Sequence, residues 1–292
     1  MKDFTFIHPI PVAIYFLIII VISMFVMHPV FIMLSFIGAV CGCAVFDGRR
    51  AFKGIKFYII IFFLTSLINP LIVHRGQTVM FYIGLRAVTA EALLYGFAIA
   101  GVLISVLLWF RCMGYILTDD KFMYLFANML PKTALVITIV MRLVPMFTKQ
   151  LKTSSSMQKC MGIAGDGRLI PRIKTASRVF SANISRSLEE AVETAGSMRA
   201  RGYGAAKRSS YSLFKFKGSD IVFFAVTAFL SAVVIAGLAA GTAAFSYYPA
   251  ADVINISPFS LTVYICYGVL LFLPTLLSAA GRLKWRYCVS AI

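Results

Sequence analysis

The chain has 292 residues, 60% of them hydrophobic, and a mean hydropathy of +0.89. Only 13% are charged, yet 28 Lys and Arg stand against 11 Asp and Glu, a formal net charge of +17. Soluble domains run at roughly 45–50% apolar and about 25% charged, so a soluble globule and a disordered chain are both excluded, and an all-α polytopic membrane protein with a basic aqueous portion remains. A nucleic-acid binder can be this basic, but not with 26 Phe and several long apolar runs.

A bilayer-spanning helix needs about 20 mostly apolar residues. About six stretches qualify: 10–27, 30–46, 57–73, 88–110, 220–241 and 259–280. His28-Pro29 joins the first two as a tight hairpin, with Pro29 suited to a first helical turn. The first run has a weakly basic flank and no small-residue cleavage site after it, so it reads as a retained helix rather than a signal peptide. With both termini in the cytoplasm, the inside segments 1–9, 47–56, 111–218 and 282–292 hold 26 of the 28 basic residues. The short segment carrying Arg49, Arg50, Lys53 and Lys56 faces inward, and 242–258 on the other side has no basic residue. That satisfies the positive-inside rule. The six cysteines then lie in spans or on the reducing side, and no disulfide is expected; Cys41-Gly-Cys43 has no neighbouring ligand residue and is not read as a metal site.

Intramembrane ionisable groups mark functional sites. Here Glu91 sits near the outer end of the fourth span, one turn from Arg86, and reads as an interfacial acid. Asp220 opens the fifth span, where an acid suits a helix N-terminus. No acid, His or Lys lies mid-span, which argues against a proton-coupled carrier. A phosphate-binding Gly-x-x-x-x-Gly-Lys-Ser/Thr loop does not occur, and Gly162-Ile-Ala-Gly165-Asp-Gly167 reads as a loop between helices. Asp119-Asp120 reads as a helix start, and His8, His28 and His74 are isolated. No catalytic constellation appears.

The chain divides into 1–110 with four spans, a cytoplasmic helical region 111–218, and a membrane hairpin 219–292. The middle region, with 18 basic and 6 acidic residues, is too long to lack structure of its own. A helix is predicted over 119–130, and Pro131 starts the next. Leu135, Ile139, Leu143, Phe147 and Leu151 trace one stripe on it. Arg142 and Pro145 interrupt the apolar run, which therefore reads as interfacial rather than spanning, with a kink at Pro145. After a break at 162–167, a helix is predicted from Pro171 to about Arg201. Phe180, Ile184, Leu188, Ala191, Ala195 and Met198 lie on one side of it, and Glu189, Glu190 and Glu193 face differently. Gly202 fits a left-handed cap.

The stretch Ala191-Val-Glu-Thr-Ala-Gly-Ser-Met-Arg-Ala-Arg-Gly-Tyr203 resembles the second Ala-Arg-Gly signature of the transmembrane T component of energy-coupling factor transporters, which include a cobalt-uptake branch. Pro131-Lys132 and Met141-Arg142-Leu-Val-Pro145 are similar to that family's Pro-Lys and Arg-Phe-x-Pro stretches. The first signature is altered: Gln158-Lys-Cys160-Met161-Gly162 stands where the family has Gln-x-Ala-Arg-Gly. The resemblance implies a multi-pass subunit of a prokaryotic cell membrane, without catalysis or a cofactor of its own. Its partners would be two cytoplasmic ABC ATPases that hold ATP-Mg and a small membrane subunit that binds a vitamin or metal ion. It also implies that Arg199, Ala200, Arg201, Gly202, Gln158, Met161 and Gly162 dock the ATPases, with Pro131, Arg142 and Pro145 structural. Two other readings are a conventional ABC permease that binds substrate itself, for which the spans are poor in polar groups, and a membrane-embedded lipid enzyme, for which no acid, base or metal site appears.

Overall fold

A computed structural model describes residues 7–46, 48, 54–73, 77–83, 86–162, 169–205, 214, 216–248, 252 and 257–290. Arg49, Arg50, Lys53, His74, Arg75 and 163–168 of the loop named above lie outside them. The described fold is all-α apart from one short hairpin. Its helices are α1 (Pro9–Phe25), α2 (Pro29–Phe46), α3 (Ile55–Ile72), α4 (Ala90–Ile116), α5 (Asp119–Met129), α6 (Pro131–Cys160), α7 (Leu169–Ala200), α8 (Gly218–Ala239) and α9 (Pro258–Ser290). The hairpin pairs β1 (Val79–Ile83) antiparallel with β2 (Arg86–Thr89). The chain forms two compact units, one of Met1–Phe122 with Phe214–Ile292, the other Met123–Leu213.

Among the described residues, six helices are long and apolar enough to cross a membrane: α2, α3, α4, α6, α8 and the first 22 residues of α9. The number agrees with the sequence reading but the membership does not. The α1 helix has only 17 residues, about 25 Å at 1.5 Å per residue, the lower limit for a span. The α6 helix runs through Pro145 as expected, but its 30 residues are long and apolar enough to cross a membrane, where an interfacial helix was expected.

In the first unit α4 packs on α1, α2 and α3, while α9 packs on α2 and α8. Trp109, Tyr15, Phe16, Ile19 and Tyr267 are fully enclosed. Polar side chains are paired inside this core. Trp109 Nε1 donates to Ser35 Oγ (3.1 Å), Ser35 Oγ bonds to Ser23 Oγ (2.8 Å), and Ser23 Oγ bonds to Tyr267 Oη (3.1 Å). This joins α1, α2, α4 and α9. The Cys43 and Cys112 sulfurs, 3.0 Å apart, add a contact between α2 and α4.

Two prolines release backbone carbonyls at bilayer depth, because proline has no N–H for the carbonyl four residues earlier. Pro274 releases Leu270, whose oxygen accepts from Tyr15 Oη at 2.9 Å. Pro70 releases Ser66, whose oxygen faces Gly96 so closely that a Cβ there would sit 2.6 Å away. Asn69 Nδ2 adds a bond to Ala92 O at 3.0 Å.

The ends of the spans are pinned by the isolated residues. Asp220 accepts from the Lys217 N–H (2.9 Å) and the His8 N–H (3.4 Å), so one buried carboxylate serves the start of α8 and the start of α1. Burial lowers the His8 pKa, partly offset by Asp220. His28 is buried at the α1–α2 hinge: its Nδ1 accepts from the Val30 N–H, and its Nε2 lies 3.3 Å from Tyr264 Oη. Burial lowers the His28 pKa, and the Nδ1 acceptor role puts the neutral ring's proton on Nε2. Glu91 is buried too, taking bonds from the Thr78 N–H (3.1 Å) and hydroxyl (2.8 Å) and so closing the base of the hairpin.

Replacing Tyr15 with Phe removes the donor to Leu270 while keeping the ring. It should lower stability by about 1 kcal/mol, within the measured range for bonds between membrane helices. Adding Pro274→Ala restores a backbone N–H at position 274 and should recover part of the loss. Thermal unfolding of the single and double variants in detergent checks both.

Candidate functional site

The second unit holds every residue that the sequence motifs single out. Pro131 occupies the first turn of α6, and Arg142 and Pro145 lie along it, both exposed. Four of the five stripe residues expected on α6, Leu135, Ile139, Leu143 and Phe147, are half-buried; the fifth, Leu151, is exposed, and Gln150, Ser154 and Gln158 continue the face instead.

The apolar side expected on α7 faces outward: Phe180, Ile184, Leu188, Ala191 and Ala195 are exposed, Leu188 at 63%, and Met198 is half-buried. The less exposed side carries Thr175, Val179, Asn183, Ser187 and Glu190. The two helices meet through polar groups. Gln150 Nε2 donates to Glu190 Oε1 (3.1 Å), which also accepts from Arg186 Nε (3.0 Å) on the preceding turn of α7. Glu190 thus lies on the inner side, which the sequence pattern did not indicate. The remaining carboxylate oxygen of Glu190 and the Oε1 atoms of Gln150 and Gln158 are buried with no donor among the described residues.

This contact has a simple geometry. Ten residues separate Gln150 from the last residue of α6, Cys160, and ten separate Glu190 from the last residue of α7, Ala200. At 1.5 Å per residue both tips lie about 15 Å from the shared contact.

The tips use the same backbone device. Gly202 has φ +81°, its N–H bonds to Arg199 O (2.9 Å), and the Tyr203 N–H bonds to Met198 O (3.0 Å). That pair of bonds is the Schellman ending of a helix, and it requires a left-handed residue that glycine supplies without strain. At the end of α6, Gly162 has φ +71° and its N–H bonds to Lys159 O (3.1 Å). The residue before each glycine is exposed, Arg201 on one tip and Met161 (72%) on the other. Arg199 and Ala200 are exposed beside Arg201, and Gln158 is half-buried. The tips therefore match in backbone and differ in chemistry: one presents a guanidinium, the other a thioether. Among the described residues no group of three or more His, Cys, Asp or Glu converges as metal ligands would.

No family model matches the chain. A curated relative is the energy-coupling factor transporter transmembrane protein EcfT of Lactobacillus helveticus (strain DPC 4571), 26% identical over 185 residues, which cover 60% of this chain and 67% of that protein. Over that stretch this chain is similar to EcfT. The helical membrane architecture is consistent with that likeness.

Glu190→Ala should separate Gln150 from Arg186 and loosen the α6–α7 contact by about 1 kcal/mol, the usual net worth of a lost hydrogen bond. Glu190→Gln keeps the acceptor and loses only an exposed ion pair, worth about 0.5 kcal/mol or less. Amide hydrogen exchange along α7 in the full chain should be faster in the Ala variant and close to wild type in the Gln variant.

Proposed function

We propose that the chain is the energy-coupling membrane subunit of an ATP-driven importer, non-catalytic itself, with hydrolysis carried out by two cytoplasmic ABC ATPases that hold ATP-Mg. A separate small membrane subunit binds the substrate, a vitamin or metal ion. The charge bias supports a cytoplasmic side for both chain ends and for α7, with α6 lying at the membrane although it is long and apolar enough to cross it.

The observation that carries this reading is the pair of helices with matched glycine-capped tips about 15 Å from one polar contact. Exposed tips suit docking to soluble partners. Arg201 supplies a planar, permanently charged fork able to pair two ways with a carboxylate or carbonyl groups. Met161 supplies an adaptable apolar contact instead, so the ATPase groove that receives it is expected to be apolar. The polar contact at Gln150 and Glu190 makes the two arms respond together when the ATPases move. The apolar sides of α6 and α7, open within this chain at Val140, Val144, Phe180 and Leu188, are large enough to mark a further interaction surface. They suit the apolar surface of a small membrane subunit or the membrane interface. Displacing these sides moves whatever rests on them, which converts ATPase motion into work on the substrate-binding subunit.

The test is assembly. Arg201→Glu reverses the charge of one tip without touching its glycine cap. It should cut co-purification of the ATPases more than tenfold, the scale seen when a buried interfacial charge pair is broken. Met161→Arg puts an unpaired charge against the apolar groove and should also reduce co-purification of the ATPases, whereas Met161→Leu should leave it unchanged. Undiminished ATPase recovery with Arg201→Glu would contradict docking through this tip.

A further inference from the structure

Both α2 and α3 pack on α4, and the space between them is a groove of about 750 Å³. That volume lies within the roughly 300–1,000 Å³ of small-molecule sites. Its walls are almost wholly apolar. On α2 it extends from Pro29 to Cys43, a run of about 21 Å at 1.5 Å per residue. That exceeds the ~15 Å of hydrocarbon in one leaflet. Phe245 and Tyr247 line it at the Pro29 end.

The other end is cationic. On α4 the lining residues Phe97, Gly101, Ile104 and Leu108 follow helical spacing, and one turn further the same stripe reaches Arg111. On α3 the lining residues Ile59 and Phe63 continue backward to Lys56, which is exposed. The contacts of Asn69 with Ala92 and of Ser66 with Gly96 run antiparallel, so Lys56 lies at the Leu108–Arg111 end. Both walls of an apolar groove thus finish in a cation at the same end, the end the positive-inside bias assigns to the inner leaflet. The sequence places Arg49, Arg50 and Lys53 within seven residues before Lys56. Basic clusters of this size next to a span attract anionic lipid.

We propose that this groove is a binding site for an anionic phospholipid, with an acyl chain lying between α2 and α3 and the headgroup phosphate held by Lys56 and Arg111. An acyl chain suits the apolar walls, whose exposure to lipid leaves no water to displace. A net negative headgroup suits the paired cations in a way that a zwitterionic one does not.

The full chain, purified in mild detergent and mixed with equimolar phosphatidylglycerol and phosphatidylcholine of identical acyl chains, gives the test by native mass spectrometry. The wild-type chain should retain one phosphatidylglycerol in preference to phosphatidylcholine by on the order of tenfold. Lys56→Gln and Arg111→Gln should each reduce that preference severalfold while total lipid retained stays the same. Ala98→Phe, which fills the groove from α4, should reduce retention of both lipids. Lys56 is exposed and outside the core, so its variant decides the headgroup claim even if the filled-groove variant fails to fold. Equal retention of the two lipids by the wild-type chain, or a Lys56→Gln preference equal to wild type, overturns the proposal. Retention of neither lipid by the wild-type chain overturns it as well.

Discussion

A backbone carbonyl released by a proline inside the bilayer has no water to turn to, and the protein must supply the missing donor. Pro274 creates such a carbonyl at Leu270, and Tyr15 on α1 answers it. Pro70 creates one at Ser66, and the bare backbone of Gly96 comes up against it. The same constraint governs the side chains. Ser23, Ser35, Trp109 and Tyr267 satisfy one another across four helices. Each polar group in the core therefore also specifies which helices are neighbours. That specification matters in lipid, where burying another apolar side chain gives little preference for one partner over another.

The α6–α7 unit is organised the opposite way. In the membrane-embedded unit polar groups are sparse and inward. In α6 and α7 the contact between helices is polar, and much of the apolar surface is outward. A helix pair arranged so gains little stability from the hydrophobic effect within its own chain. It leaves an apolar surface open within this chain. The glycine caps end both helices sharply, so the residues before them project at defined places rather than trailing off along a frayed turn.

The sequence made the fold class and most helices legible, because apolar runs of 17 residues or more and prolines at first turns are strong local signals. The starts of α5 and α6 and the left-handed Gly202 follow directly from Asp119-Asp120, Pro131 and the Ala-Arg-Gly run. Three features were not legible. Arg142 and Pro145 interrupt the apolar run of α6 in sequence, yet the continuous helix remains apolar enough over 18 residues to count as a candidate span. The hairpin was missed although Val79-Met-Phe-Tyr-Ile83 is rich in β-formers and only Gly84-Leu85 separates it from Arg86, a spacing typical of a tight turn. The one-sided apolar pattern of α7 is legible, but periodicity does not show whether that side packs on the same chain, and here Phe180, Ile184 and Leu188 are exposed. The pairing of Glu190 with Gln150 is not legible, since the two are 40 residues apart in sequence. At the candidate site the residues were legible and the shared contact behind them was not.

The central claim is that the chain works as one part of a larger transporter rather than alone. Its most direct test is the composition of the intact assembly, measured by native mass spectrometry after tagged chain is purified from its own membrane in mild detergent. The account predicts one copy of the chain with two ABC ATPase subunits and one small membrane protein. A chain recovered alone that binds the transported substrate by itself would contradict it.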